Sequence, residues 1–201
     1  TSFSSTAVAD AGTFISATHK PFCVNDYFEN ISKEPMIFID SDCIFAQRVE
    51  ETGFDIGVTL RSRRVDKTDP YNGLLNSGVI FFNTYCRHFL EAWAKECSAP
   101  NTTDQKALCD ILGETIDWES YNKIYDWHGL KIKVFGTDEY NDYHFKGGKI
   151  LHFKGKRHDK EIYKQLLNAL ENGRDAYQLF KKLSRGKTFW SRLVDKITYK
   201  R

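Results

Sequence analysis

Two carboxylates stand at the end of the most apolar short run in the chain, Pro35-Met36-Ile37-Phe38-Ile39-Asp40-Ser41-Asp42. An uninterrupted apolar run after a proline reads as a buried strand, central in a parallel sheet. On such a strand alternate residues share a face, so Asp40 and Asp42 are expected to point the same way. They would stand at the carboxyl edge of the sheet, where open α/β sheets bind ligands. Carboxylates converging there call for a hard divalent cation, Mg2+ or Mn2+, which would bring diphosphate oxygens with it. The plain alternative is a turn bearing solvated acids.

Other stretches carry chemically useful groups. Leu74-Leu75-Asn76-Ser77-Gly78-Val79-Ile80-Phe81-Phe82 enters a buried strand through three polar or small residues, as where backbone must approach something closely. Asn76 offers both a donor and an acceptor to a sugar hydroxyl, and equally suits a turn. Thr102 and Gln105 fit a capping box, with Asp104 favoured at the helix N-terminus. Gly155-Lys156-Arg157-His158 joins a glycine to successive cations, which could wrap a diphosphate or form a solvated basic turn.

The elements that would position these groups follow from periodicity. Helices are expected from Pro21 to about Asn30, over 86–97 with Phe89, Leu90 and Trp93 inward, and over 103–112 with Ala107, Leu108, Ile111 and Leu112 inward. A further helix over 160–171 would turn Ile162, Leu166, Leu167 and Leu170 inward. Strands are expected at Phe54–Leu60, Lys131–Phe135 and Lys149–Phe153. Arg61–Pro70 reads as an exposed loop, Asp138–Gly148 as another, and Trp118–Trp127 has no clear type. Strands alternate with helices, so the class is α/β, a mixed sheet flanked by helices.

Composition bounds the rest. The 201 residues suit one domain with a small appendage, and 41% hydrophobic residues supply a core. No run of 18 apolar residues and no signal-peptide pattern is visible. The five cysteines form no C-x-x-C pair, which fits reduced thiols in a cytoplasmic protein rather than a zinc site. The net charge of +2 hides a tail, Lys181 to Arg201, in which eight basic residues accompany one acid, Asp195. With Phe189 and Trp190 at helical spacing, that tail reads as a basic amphipathic helix able to lie on anionic lipid at the inner face of a membrane. No nucleic-acid reading motif accompanies it.

The order of motifs resembles the nucleotide-sugar glycosyltransferases of the GT-A fold, and is most similar to the glycogenin and lipopolysaccharide-galactosyltransferase type. The blocks are Lys20-Pro21, Phe38-Ile39-Asp40-Ser41-Asp42, Leu75-Asn76-Ser77-Gly78-Val79-Ile80-Phe81 and Thr103-Asp104-Gln105-Lys106-Ala107-Leu108, with a partial fifth, Ile150-Leu151-His152-Phe153-Lys154-Gly155. The resemblance implies a GT-A-like domain over 1–158 and a helical extension over 159–201. It implies a metal held by Asp40, Asp42 and His152. It implies donor binding by Lys20, Asp40, Ser41, Asn76, Ser77, Gly78, Gly155 and Lys156, with Asp104 and Gln105 at the reacting centre. The family's lysine six residues after the histidine is replaced by His158, with Lys156 or Arg157 as stand-in. The implied activity is metal-dependent transfer of a hexose from a nucleoside-diphosphate sugar, UDP favoured, to a glycan or lipid-linked acceptor in polysaccharide biosynthesis, with retention of configuration. The family's base-holding strand–helix–strand unit precedes the Lys-Pro block, and only 18 residues precede His19 here. That departure supports the alternative of a non-catalytic GT-A-like domain that binds glycan or membrane. A haloacid-dehalogenase-type phosphatase, which also opens on an apolar strand ending in Asp-x-Asp, lacks its later acidic pair.

Overall fold

The computed structural model describes residues 18–61, 74–100, 102–117, 120–143, 146–153, 160–175 and 178–179. Helix α1 (Lys20–Asp26) takes Pro21 in its first turn and continues through one wider turn, Tyr27–Ile31. Strands β1 (Met36–Ile39) and β2 (Cys43–Phe45) follow, then β3 (Ile56–Leu60) and β4 (Leu75–Phe82). Helices α2 (Arg87–Cys97) and α3 (Asp104–Leu112) lead to the hairpin β5 (Ile124–Trp127) and β6 (Leu130–Phe135). The short helix α4 (Thr137–Tyr140), β7 (Ile150–His152) and α5 (Lys160–Glu171) complete the described elements. None of the described helices is long and apolar enough to cross a membrane.

Five strands form a mixed sheet in the order β1-β4-β3-β6-β5. β3 and β6 are parallel, and every other neighbouring pair is antiparallel. β1, β3 and β6 therefore end along one edge of the sheet, where β4 begins. This corrects the expectation for Met36–Ile39: among the described residues β1 is an edge strand, antiparallel to β4, and its four residues are only half-buried. Its unbroken apolar character arises because both faces are covered. Met36 and Phe38 pack on one side and Ile37 and Ile39 on the other.

Alternation along β4 sorts the two cores. Ile80 and Phe82 join Ile56, Val58, Ile132 and Val134 under α1, α2 and α3. Val79 and Phe81 join Phe54, Phe135, Tyr140 and Ile150 on the opposite face. There a two-stranded antiparallel ribbon, β2 with β7, stands beside α4. Ile44, Leu151 and Phe153 of the ribbon segment pack with Leu166 of α5.

Two helix readings are corrected. Among the described side chains of α5, Leu166 and Ala169 are inward while Leu167 and Leu170 remain exposed, and Ile162 lies outside them. On α3 the cap is Thr103, whose hydroxyl accepts from the Lys106 amide at 3.1 Å, in place of the expected Thr102 and Gln105 box. This makes Asp104 and Gln105 the first two residues of the helix, held at its positive end.

Candidate active site and metal centre

The sheet edge where β1, β3 and β6 end gathers residues from distant parts of the chain. The Lys20 ammonium, at the start of α1, lies 2.8 Å from Asp40 Oδ1 and 2.7 Å from Asp104 Oδ2. It also donates to the Ser77 carbonyl and hydroxyl, both at 3.1 Å. Burial alone would lower this ammonium's pKa. Asp104 and Asp40 outweigh burial and raise it above the ordinary lysine value of 10.5, so the side chain stays charged.

Beside it, Asn76 Nδ2 donates to Gln105 Oε1 at 3.1 Å, and Asn76 Oδ1 accepts from the Gly78 amide at 2.9 Å. The Gly78 carbonyl in turn accepts from the Asp40 amide at 2.9 Å. Lys20, Asp40, Asn76, Ser77, Gly78, Asp104 and Gln105, read separately from the sequence, thus form one connected polar shelf. Ser41 is exposed in the turn between β1 and β2. Gly155, Lys156, Arg157 and His158 lie outside the described residues, as do the Arg61–Pro70 loop beyond Arg61, Trp118 and the basic tail from residue 180 onward.

The two acids of the Asp-x-Asp pair are not disposed as strand periodicity predicts. β1 ends at Ile39, and the Cys43 amide donates back to the Asp40 carbonyl at 2.9 Å, closing a turn. Asp40 meets Lys20, which also pairs with Asp104 at the start of α3. Asp42 enters the ribbon, where its Oδ1 lies 3.2 Å from His152 Nε2 and its carbonyl accepts from the Phe153 amide at 2.8 Å. Among the described residues the group of potential metal donors is Asp42, Cys43 and His152, whose ligand atoms all lie within 4.8 Å of one another. Asp40 is thus engaged beside this group, on Lys20, rather than within it.

The tautomer of His152 follows from hydrogen-bond polarity. The Thr59 hydroxyl lies 3.1 Å from the Asn76 carbonyl and 3.3 Å from the Val79 carbonyl. Carbonyls only accept, so Thr59 donates to them and offers a lone pair to Asn141 Nδ2 at 3.3 Å. Asn141 then turns its Oδ1 to His152 Nδ1, 2.6 Å away, and that nitrogen must carry the proton. In a neutral imidazole Nε2 is left as a lone pair facing a carboxylate oxygen at 3.2 Å. Two acceptors at that distance repel, and His152 is 2% exposed, with little water to relieve them. A cation between them resolves the conflict, as does a second proton on the ring. The same arrangement, a ligating histidine whose far nitrogen is held by an amide oxygen, orients metal-binding imidazoles generally.

Gly78 makes this packing possible. A Cβ there would meet His152 Cε1 at 2.4 Å and Asn76 Oδ1 at 2.7 Å. Thr59 and Asn141, both fully buried, are site residues that motif reading missed. A threonine inside the apolar run Ile-Gly-Val-Thr-Leu was the available signal, because a buried hydroxyl needs partners. Cys43 is the third omission. Burial, reinforced by Asp40 and Asp42, pushes its thiol well above the ordinary value of 9.0. Its Sγ donates weakly to the Gly78 carbonyl at 3.5 Å.

A separate cleft of about 830 Å³ opens along Leu60, Tyr121, Gly136, Thr137, Tyr143 and Gly148, and none of the shelf or donor residues lines it. No protein-family model, no curated protein and no solved structure matches the chain.

Proposed function

We propose that the chain is a metal-dependent glycosyltransferase that moves a hexose from a nucleoside-diphosphate sugar to a glycan or lipid-linked acceptor. The observation that carries this reading is the 3.2 Å approach of His152 Nε2 to the Asp42 carboxylate, immediately beside a buried polar shelf. Asp42 and His152 would hold Mn2+ or Mg2+, and that ion would supply Lewis-acid stabilisation of the departing diphosphate. Asp40 borders the ion's site while balancing Lys20.

The shelf residues have chemistry suited to a sugar. Asn76 and Gln105 each carry a donor and an acceptor, and one hydrogen bond, Asn76 Nδ2 to Gln105 Oε1 at 3.1 Å, joins them until hydroxyls replace it. Asp104 is 6% exposed and tied to Lys20, which suits holding a sugar hydroxyl in place better than reaching out to deprotonate an acceptor. Gln105, its neighbour on α3, is then the group nearest in kind to a polar side chain beneath the reacting carbon. This division favours retention of configuration. The rigid capped start of α3 fixes both side chains, which lowers the reorganisation needed at reaction.

A panel of nucleotide sugars incubated with Mn2+, with released nucleotide and product anomer assayed, tests the reading. Turnover of one donor that disappears in Asp42→Ala supports it. Turnover that survives Asp42→Ala, or that needs no divalent ion, overturns it.

A further inference from the structure

The metal end of the site contains a donor that hexosyl transfer does not require. Cys43 and His152 are direct cross-strand partners in the ribbon. Side chains at such positions stand on the same face of a ladder. Cys43 Sγ, a His152 ring nitrogen and an Asp42 carboxylate oxygen all approach within 4.8 Å of one another. The imidazole and the thiol form a buried floor, 2% and 7% exposed, and the Asp42 side chain, 41% exposed, forms the open rim. The imidazole presents Nε2 because Asn141 holds Nδ1 at 2.6 Å. Gly78 lies under both floor groups, its carbonyl near Cys43 Sγ and its Cα against the His152 ring. An oxygen, a sulfur and a nitrogen therefore converge on one small volume open on one side.

We propose that Asp42, Cys43 and His152 form a binding site for a single thiophilic divalent cation of the Zn2+ class, with Cys43 bound as the thiolate. The inference rests on the same metal end as the proposed transferase and adds which metals compete there. Binding breaks the S–H bond heterolytically, forms a sulfur–metal bond and releases the proton to solvent, with no change of oxidation state. Three donors of mixed type with one open position match the way zinc is held where a further ligand must enter. Thiolate favours Zn2+ over Mn2+, and the ordinary order of divalent affinities points the same way. A thiophilic ion thus displaces Mn2+ from this site and stops Mn2+-dependent chemistry.

Cd2+ titration followed by the ultraviolet thiolate-to-cadmium charge-transfer band tests the proposal directly. The full chain is used with Cys23→Ser as background, because Cys23 is exposed. The band is expected to saturate at one ion per chain, to vanish in Cys23→Ser/Cys43→Ser, and to require at least tenfold more Cd2+ in Cys23→Ser/Asp42→Asn. Asp42→Asn keeps a rim side chain of the same shape, so it reports on binding if the Cys43 variant folds poorly. Absence of the band, or a band of equal size without Cys43, overturns the proposal while leaving Mn2+-dependent transfer standing. A Cys43-dependent band in a protein that turns over no nucleotide sugar keeps this site and removes the transferase reading.

Discussion

Two half-buried charge clusters in this molecule are built in different proportions. At the sheet edge, one ammonium, Lys20, serves two carboxylates, Asp40 and Asp104, with Asp42 close behind in the turn. On the face under α4, Glu51 serves two ammoniums, one of which, Lys149, also lies 3.4 Å from Glu139. Lys133 lies 3.1 Å from Glu51 and Lys149 3.6 Å, and the Tyr140 hydroxyl also bonds to Glu51. The second cluster meets its charges internally. Lys133 sits 4.7 Å from the Phe135 ring centre and 5.4 Å from that of Phe54, and Lys149 lies 5.1 Å from that of Tyr140. Aromatic faces accept cations, so both ammoniums gain a further partner within the protein. The first cluster sets two carboxylates on one ammonium, and beside it His152 Nε2 faces the Asp42 carboxylate at 3.2 Å. A cluster whose charges are met internally holds a fold together, whereas a histidine nitrogen facing a carboxylate is completed by a cation or by a second ring proton.

This contrast can be broken first at Asp42. Asp42→Ala is expected to reduce metal-dependent turnover by about three orders of magnitude, since a Lewis-acid ion contributes several kcal/mol to the transition state. Its thermal midpoint should scarcely move, because the side chain is 41% exposed. Comparable turnover in the variant would erase the distinction between the clusters.

The reverse experiment is Glu51→Ala. It leaves Lys133 without its carboxylate and Lys149 with Glu139 alone, and is expected to destabilise the fold by about 1–2 kcal/mol. That figure lies below the full penalty for a broken buried pair because the lysine side chains are 22% and 32% exposed and can partly reach water. Chemical denaturation checks it, and metal affinity should stay within about twofold of the parent. The same residue gives a pH signature. Burial would raise the Glu51 carboxyl, but Tyr140, Lys133 and Lys149 together hold it below the ordinary 4.5. Its stabilising contribution is therefore complete above pH 4.5 and is lost as pH falls through the lowered value. The Glu51→Gln protein should show a flatter stability profile over that acidic window.

A smaller effect sharpens the comparison at the relay behind His152. Asn141→Ala frees the imidazole to rotate and change tautomer, and should weaken Mn2+ binding about 10- to 100-fold, the range for groups that orient a ligating histidine. If Mn2+ binds the variant as tightly as the parent, the polarity chain from Thr59 to His152 does not set the ligand. Smallest of all, Thr103→Ala removes the α3 cap and should cost about 1 kcal/mol of stability by denaturation. It should weaken donor binding only through loosened Asp104 and Gln105.

Much of the shelf was legible in the sequence because its parts are short, polar interruptions in apolar elements. Asn76-Ser77-Gly78 ahead of Val79, and Asp40 after Ile39, stand out for that reason. α2 and α3 followed from 3.6-residue spacing, and the buried faces of both are the ones that spacing marks. What was not legible depends on neighbours. Four apolar residues look alike on a central parallel strand and on an edge strand covered on both faces, so β1 was misplaced. The turn that sends Asp42 into the ribbon depends on β2 pairing with β7, more than a hundred residues away in sequence. Asn141 lies in a polar stretch with no periodicity, and only the position of Thr59 gives it a role.

The central claim is that a divalent cation belongs between Asp42 and His152 Nε2. Titration of Mn2+ into the full chain, with the free-ion signal followed by electron paramagnetic resonance, tests it most directly. One site per chain is expected, lost in both Asp42→Ala and His152→Ala and retained in Glu51→Gln. No bound Mn2+ in the parent, or a site that persists without Asp42 and His152, would contradict it.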